Sequence, residues 1–214
     1  MVQEISFTGD SQNYCICFID IVDSTRNTFI LDAEKMKRYY SVFINIMAPV
    51  ARDFNSIIIK NTGDSLIYYF PETSDSANIS AFKPVLECGL TMIAVHPIVN
   101  TKLNGEGLPS LDYRISADYG RTDVAQSLTT TSEDLFGPTM NICAKINSIA
   151  MPNSMVIGGG LYKIVNRTFH KNYYFSKVGT YSIGDLIQYP VYSISNKSKT
   201  SNADTLRLYK NILN

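Results

Sequence analysis

Residues 56–72 read SIIIKNTGDSLIYYFPE, two β-rich runs on either side of Asn61-Thr62-Gly63. Ile57-Ile58-Ile59 and Leu66-Ile67-Tyr68-Tyr69-Phe70 are branched and aromatic, the residue types that suit a pleated, half-buried surface. The Asn-x-Gly between them is a turn signal, so the stretch predicts a β-hairpin. A hairpin commits at least part of the sheet to antiparallel pairing, and the rest of the chain is interpreted around it.

Upstream, Tyr14 to Ile19 is a run of six apolar residues that suits a central strand buried on both faces. It stops at a carboxylate, Asp20. Asp23-Ser24-Thr25 then offers an N-cap for a short helix. A long helix follows from about Asp32, with Met36, Tyr40, Phe43, Met47 and Val50 at three-to-four spacing; Pro49 is expected to kink or end it. Downstream, Pro84 suits the first residue of a helix running to roughly Asn100, with an irregular last turn at His96-Pro97, and residues 104–110 form a loop. Leu111–Tyr119 and Asp123–Ser127 predict a second antiparallel pair, turned at Gly120-Arg121. Gly137-Pro138 opens a helix over Thr139–Ala150. A short strand at Met155–Ile157, a Gly158-Gly159-Gly160 break, a helical Leu161–Asn166 and strands at Tyr173–Ser176 and Val191–Ile194 complete the pattern.

Hairpins mixed with helices indicate an α+β domain: a mostly antiparallel sheet with helices packed on it. No internal repeat or linker divides it, so residues 1–195 are expected to form one domain. Residues 196–214 form a polar tail, with a possible short helix at Leu206–Leu213.

Composition narrows the function. Nineteen basic and nineteen acidic residues cancel, with a pI near 6.7, so there is no electrostatic footprint for nucleic acid or an anionic membrane. No apolar run approaches the ~18 residues of a spanning helix, and Met1-Val-Gln-Glu-Ile-Ser lacks the layout of a signal peptide. The expected location is cytoplasmic. The four cysteines, Cys15, Cys17, Cys88 and Cys143, lack metal-ligand spacing and are expected to be reduced and buried. Cys15 and Cys17, two apart on a strand, share a face. His96 and His170 are the only histidines, and neither lies near an acid–nucleophile cluster. Chemistry therefore falls to carboxylates, metals or the backbone.

Two acids stand where strands begin or end: Asp20 closes the first, and Asp64 follows the hairpin turn. If the first strand lies beside the hairpin, both carboxylates reach one edge of the sheet. There they would repel, and a hard divalent cation would remove that penalty. The helix start at residues 22–25 would add free N–H groups that suit an anion. The plainer alternative is that Asp23 or Ser24 caps a helix and Asp64 follows a turn.

Four colinear stretches over Tyr14–Ile194 resemble the class III nucleotidyl cyclases, the adenylate and guanylate cyclase catalytic domains. FIDIVDST resembles the family's first metal motif, which implies Asp20 as ligand and Ile21 as donor of a backbone carbonyl. KNTGDSL (Lys60–Leu66) is similar to the second, with Asp64 as the other ligand. YRISADYG (Tyr113–Gly120) resembles the strand whose arginine, here Arg114, binds the triphosphate. DLFGPTMNICAKI (Asp134–Ile146) resembles the segment carrying a base-selecting acid, Asp134, and a transition-state asparagine, Asn141.

The resemblance implies a ferredoxin-like fold and an adenylate cyclase making 3′,5′-cyclic AMP and pyrophosphate from ATP, the alternatives being a guanylate or pyrimidine nucleotide cyclase or a catalytically impaired nucleotide-binding module. It also implies Mg²⁺ or Mn²⁺, two per site, and a head-to-tail homodimer with composite sites. Asp23, Ser24 and Thr25 would meet phosphate, and Lys60 with Asp134 would read adenine. Lys145 stands where the family usually has a catalytic arginine, keeping the charge but losing the planar fork. The family's C-terminal phosphate-binding lysine has no counterpart near residues 180–186.

Overall fold

The computed structural model describes residues 5–127, 133–184 and 187–198. The first strand, β1 (Ile5–Ile21), is followed by helices α1 (Ser24–Phe29) and α2 (Ala33–Asp53). The hairpin strands are β2 (Ile57–Asn61) and β3 (Ser65–Phe70). Next come α3 (Lys83–Ala94), α4 (His96–Gly105), β4 (Tyr113–Ser127) and β5 (Glu133–Phe136). Then α5 (Pro138–Asn147), β6 (Ser154–Gly158), α6 (Gly159–Phe169), β7 (Tyr173–Ile183) and β8 (Ile187–Asn196) complete the order.

The strands form one eight-stranded sheet in the order β2-β3-β1-β4-β6-β8-β7, with β5 also pairing β4. Every pair is antiparallel except β4 with β6. The β2-β3-β1-β4 half, with helices between β1 and β2 and between β3 and β4, is the ferredoxin-like arrangement expected for an α+β chain.

Side-chain alternation assigns the two faces. Cys15, Cys17, Ile19 and Ile21 enter the main core with residues of α2, α3, α4 and α6. The opposite face is packed by α5: Cys143 joins Ile16 and Leu135, and Ile146 joins Val156 and Val191. Tyr14, Phe18, Ile59, Ile67, Tyr69 and Met140 are only partly buried on that face. All four cysteines are buried and unpaired, and burial pushes the Cys15 and Cys17 thiols well above their usual range.

Three expectations need correction. Asp32 caps α2 as expected, accepting from the Lys35 N–H at 2.8 Å, but the helix does not end at Pro49, one of the two outcomes expected there, and runs on to Asp53. Met47, Val50 and Ala51 are fully buried around the proline, and the stop comes at Asn55, whose φ of 61° is left-handed. The predicted turn at Gly120-Arg121 is uninterrupted strand, because β1 extends back to Ile5 and pairs Tyr14 with Gly120 and Asn13 with Arg121. Glycine is needed there for close approach: a Cβ would stand 2.7 Å from Thr139 Oγ1, which donates to the Arg121 carbonyl. The irregularity expected at His96-Pro97 is a full break at Val95, with Pro97, lacking an N–H, in the first turn of α4, and the second helix runs past Asn100 to take in Asn104 and Gly105.

Residues 79–105 are long and apolar enough to span a membrane by length and composition, which exceeds the expectation of no such run. Their apolar side chains, Phe82, Leu86, Met92, Val99 and Leu103 among them, are buried in the core. The expected terminal helix at Leu206–Leu213 lies outside the described residues.

Candidate active site

Because β1 runs antiparallel to both its neighbours, its C-terminal end meets the first residues of β3 and β4. Asp20 is in register with Ser65 on one side and Arg114 on the other. The Ile21 N–H donates to the Asp64 carbonyl at 2.9 Å, and the Val22 N–H to the Asp112 carbonyl at 2.8 Å. Asp20, Ile21, Asp64 and Arg114 therefore meet at one end of the sheet, as the strand-end acids suggested.

The electrostatics of this corner are unbalanced. Burial, then the Asp64 charge, pushes the Asp20 carboxyl up to about 6, against the pull of Arg114. The Nε of Arg114 is buried and lacks a hydrogen-bond acceptor, a costly state for a charged donor. One corner thus holds a carboxylate short of positive charge and a guanidinium short of an acceptor. Among the described residues no group of three or more His, Cys, Asp or Glu forms a cage. Two carboxylates and a backbone carbonyl suit a hard cation whose remaining ligands come from water and phosphate.

The link from β1 to α1 shapes the rest. Asp23 has a φ of 52°, left-handed, and its carbonyl accepts from the Asn27 N–H to close the first turn of α1. The Ser24 hydroxyl donates to Asp64 Oδ2 at 2.8 Å, while Thr62 Oγ1 reaches Asp64 Oδ1 at 3.4 Å. The Ser24 hydroxyl thereby ties α1 to the hairpin carboxylate. Asp20, Ile21, Asp23, Ser24, Thr25 and Arg114 line a cleft of about 700 Å³.

The other expected site residues lie elsewhere. Lys60 is exposed on β2, in register with Ile67. Asp134 is on β5, in register with Ala125. Ile59 and Leu135 share one apolar cluster, so the segments carrying Lys60 and Asp134 lie against each other. Asn141 and Lys145 are exposed one turn apart on α5. Lys60, Asn141 and Lys145 are not among the described residues that line the cleft. The described chain thus presents two half-sites.

Two positioning residues escaped the sequence reading. Asn147 is buried at the end of α5, and its Nδ2 lies 3.4 Å from the Phe18 carbonyl and 3.3 Å from that of Arg114, bracing both strands near the cleft. Asp118 is buried beside the glycine run. It accepts from Tyr189 Oη at 2.7 Å, Tyr119 N at 2.9 Å and Leu161 N at 3.1 Å. A Cβ on Gly158 would stand 2.4 Å from that carboxylate, so the glycines that read as punctuation are there to admit an acid.

A family model described as the adenylate and guanylate cyclase catalytic domain matches residues 8–195. An adenylate cyclase of Streptomyces coelicolor is 22% identical over 151 residues, covering 71% of this chain and 34% of that protein. A cytidylate cyclase of Staphylococcus aureus is 22% identical over 172 residues, covering 76% of this chain and 40% of that protein. The chain thus spans well under half the length of these relatives. In fold it resembles the adenylyl cyclase CyaB from P. aeruginosa, with a TM-score of 0.78 at 16% identity, covering 89% of this chain and 97% of the other. The guanylyl cyclase Cya2 gives 0.77 at 18% identity, covering 90% and 96%.

Proposed function

The chain belongs to the adenylate and guanylate cyclase catalytic domain family, and from that premise we propose that it converts ATP to 3′,5′-cyclic AMP and pyrophosphate. The observation that carries this reading is the corner where Asp20 and Arg114 line one cleft and the charge of Asp64 acts on Asp20 from the hairpin beside it.

Asp20, Asp64 and the Ile21 carbonyl would hold Mg²⁺ or Mn²⁺, two per site. When bound, such ions supply a more acidic ribose 3′-hydroxyl and charge neutralisation on the departing pyrophosphate. The protein's own groups mainly position and stabilise charge. Arg114, which lines the cleft beside Asp20, would bind the triphosphate. Asn141 would hold the ribose, while Lys145 would offset charge building at the α-phosphate.

Lys60 and Asp134 would read the base, Asp134 accepting from an exocyclic amine and Lys60 donating to the adjacent ring nitrogen. Guanine presents a carbonyl where adenine presents an amine, so this pair disfavours it. Cytosine, however, shows the same amine-and-ring-nitrogen edge on a smaller ring. A cytidylate cyclase is therefore the second reading, favoured by the Staphylococcus aureus relative that matches 76% of this chain.

The separation of the acids from Lys60, Asn141 and Lys145 supports a head-to-tail homodimer, each site taking one half from each copy. The partly exposed apolar side chains around Ile67 and Tyr69 support the same assembly. A cytoplasmic setting, where the buried thiols stay reduced, completes the proposal.

Incubating the protein with ATP, GTP, CTP and UTP in Mn²⁺ and identifying the products tests it. Cyclic AMP as the main product is expected; cyclic CMP as the main product selects the second reading. No cyclic product at any protein concentration defeats both. Mixing Asp20→Ala with Asn141→Ala chains should restore turnover absent from either alone, because one composite site of the mixed dimer is intact.

A further inference from the structure

We propose that Arg26 is a second guanidinium ligand for the triphosphate, a role that rests on the cyclase reading. Arg26 lies on α1 and lines the same cleft as Asp20, Ser24, Thr25 and Arg114. These are the only two cations on that wall among the described residues, and they differ in what already faces them. Arg114 stands in register with Asp20 and acts on its carboxyl, so its charge is shared before any ligand arrives. Arg26 is exposed, and among the described residues no carboxylate forms an ion pair with it. The other described arginine and lysine ion pairs lie away from this cleft, so Arg26 is the positive charge there that is still uncommitted.

Local geometry favours the same assignment. Phe29 and Ile30, three and four positions beyond Arg26, line the cleft as well and are 90% and 72% exposed. Phe29, three positions on within α1, falls on the same side of the helix as Arg26, so the guanidinium shares the cleft rim with an apolar side chain. A guanidinium presents a planar fork that matches two phosphate oxygens at once. The Ser24–Asp64 hydrogen bond anchors α1 to the acid pair, which keeps Arg26 at a set reach from the carboxylates. The triphosphate would then lie between two guanidiniums, Arg114 at the strand end and Arg26 on the helix.

The test compares the full chain with Arg26→Gln and Arg26→Lys. Inorganic tripolyphosphate in Mn²⁺ is titrated by calorimetry, with orthophosphate as the control, alongside melting temperature and cyclisation kinetics. Arg26→Gln should weaken tripolyphosphate by about tenfold, the scale of one charge-assisted contact at a partly solvated site. Orthophosphate binding and melting temperature should stay as in the parent. KM should rise by the same factor with kcat held, as for a contact made equally in ground and transition states. Arg26→Lys should recover part of the loss, since it keeps the charge without the fork. If Arg26→Gln binds tripolyphosphate as tightly as a parent chain that makes cyclic product, this assignment falls and the cyclase reading stands. If the parent neither binds tripolyphosphate nor makes cyclic product, both fall.

Discussion

Asp20 and Asp118 lie on neighbouring strands, and burial raises the pKa of both carboxyls, yet they are built for opposite purposes. Asp118 is 1% exposed and surrounded by fixed donors: the Tyr189 hydroxyl, the Tyr119 N–H on its own strand and the Leu161 N–H in the first turn of α6. Asp20 is half-buried, and among the described residues no hydroxyl or N–H group donates to its side chain; it faces Asp64 and Arg114 instead. A carboxylate closed off by donors holds the fold together. One left facing a second acid is suited to a cation brought by a ligand.

The sharpest break in this comparison is Asp20→Ala. Turnover in Mn²⁺ should fall by about 100-fold or more, while the melting temperature holds or rises, because a desolvated like charge is removed. Full activity in that variant would overturn the assignment. Asp118→Ala should do the reverse. Leaving buried donors unpaired costs about 2–5 kcal/mol, or roughly 5–15 °C in melting temperature for a chain of this size. An unchanged melting curve would show that the donors find other partners.

Titration sharpens the contrast. The unfolded chain ionises Asp118 near the usual carboxylate value of about 4, whereas the folded chain holds the proton to higher pH. The stability from this raised group is fully present below the unfolded value and is lost as pH climbs toward the folded one. The melting temperature of Asp118→Asn relative to the parent should therefore rise with pH above about 4, and a constant difference would contradict the raised carboxyl. The smallest effect is expected for Ser24→Ala. Freeing Asp64 Oδ2 should raise the Mn²⁺ midpoint, followed by electron paramagnetic resonance, by roughly three- to tenfold. Ser24→Thr should restore it; equal midpoints in all three chains would show that the bond does not position Asp64.

Much of the comparison was legible in the residues. Asp20 announced itself by breaking an apolar run, and Asp64 by following a turn signal, because both features are local. Asp118 gave no such sign. It sits inside YRISADYG, and nothing nearby in the chain predicts that Tyr189 and a glycine-led helix close over it. The Gly120-Arg121 turn was misread for the same reason: glycine looks like punctuation until the partner strand and Thr139 are in place.

The sequence by itself determined the hairpin, the α+β order and the acids at the strand ends. It also set the two groups of candidate residues, since turn chemistry, apolar periodicity and charge placement act over a few residues. Only the tertiary structure decided which carboxylate is satisfied and which is left facing another. It alone placed Ser24 on Asp64, 40 residues away, and Arg26 and Arg114 in one cleft. Such contacts join segments that only the antiparallel pairing of β1 with β3 and β4 brings together, so no local pattern carries them.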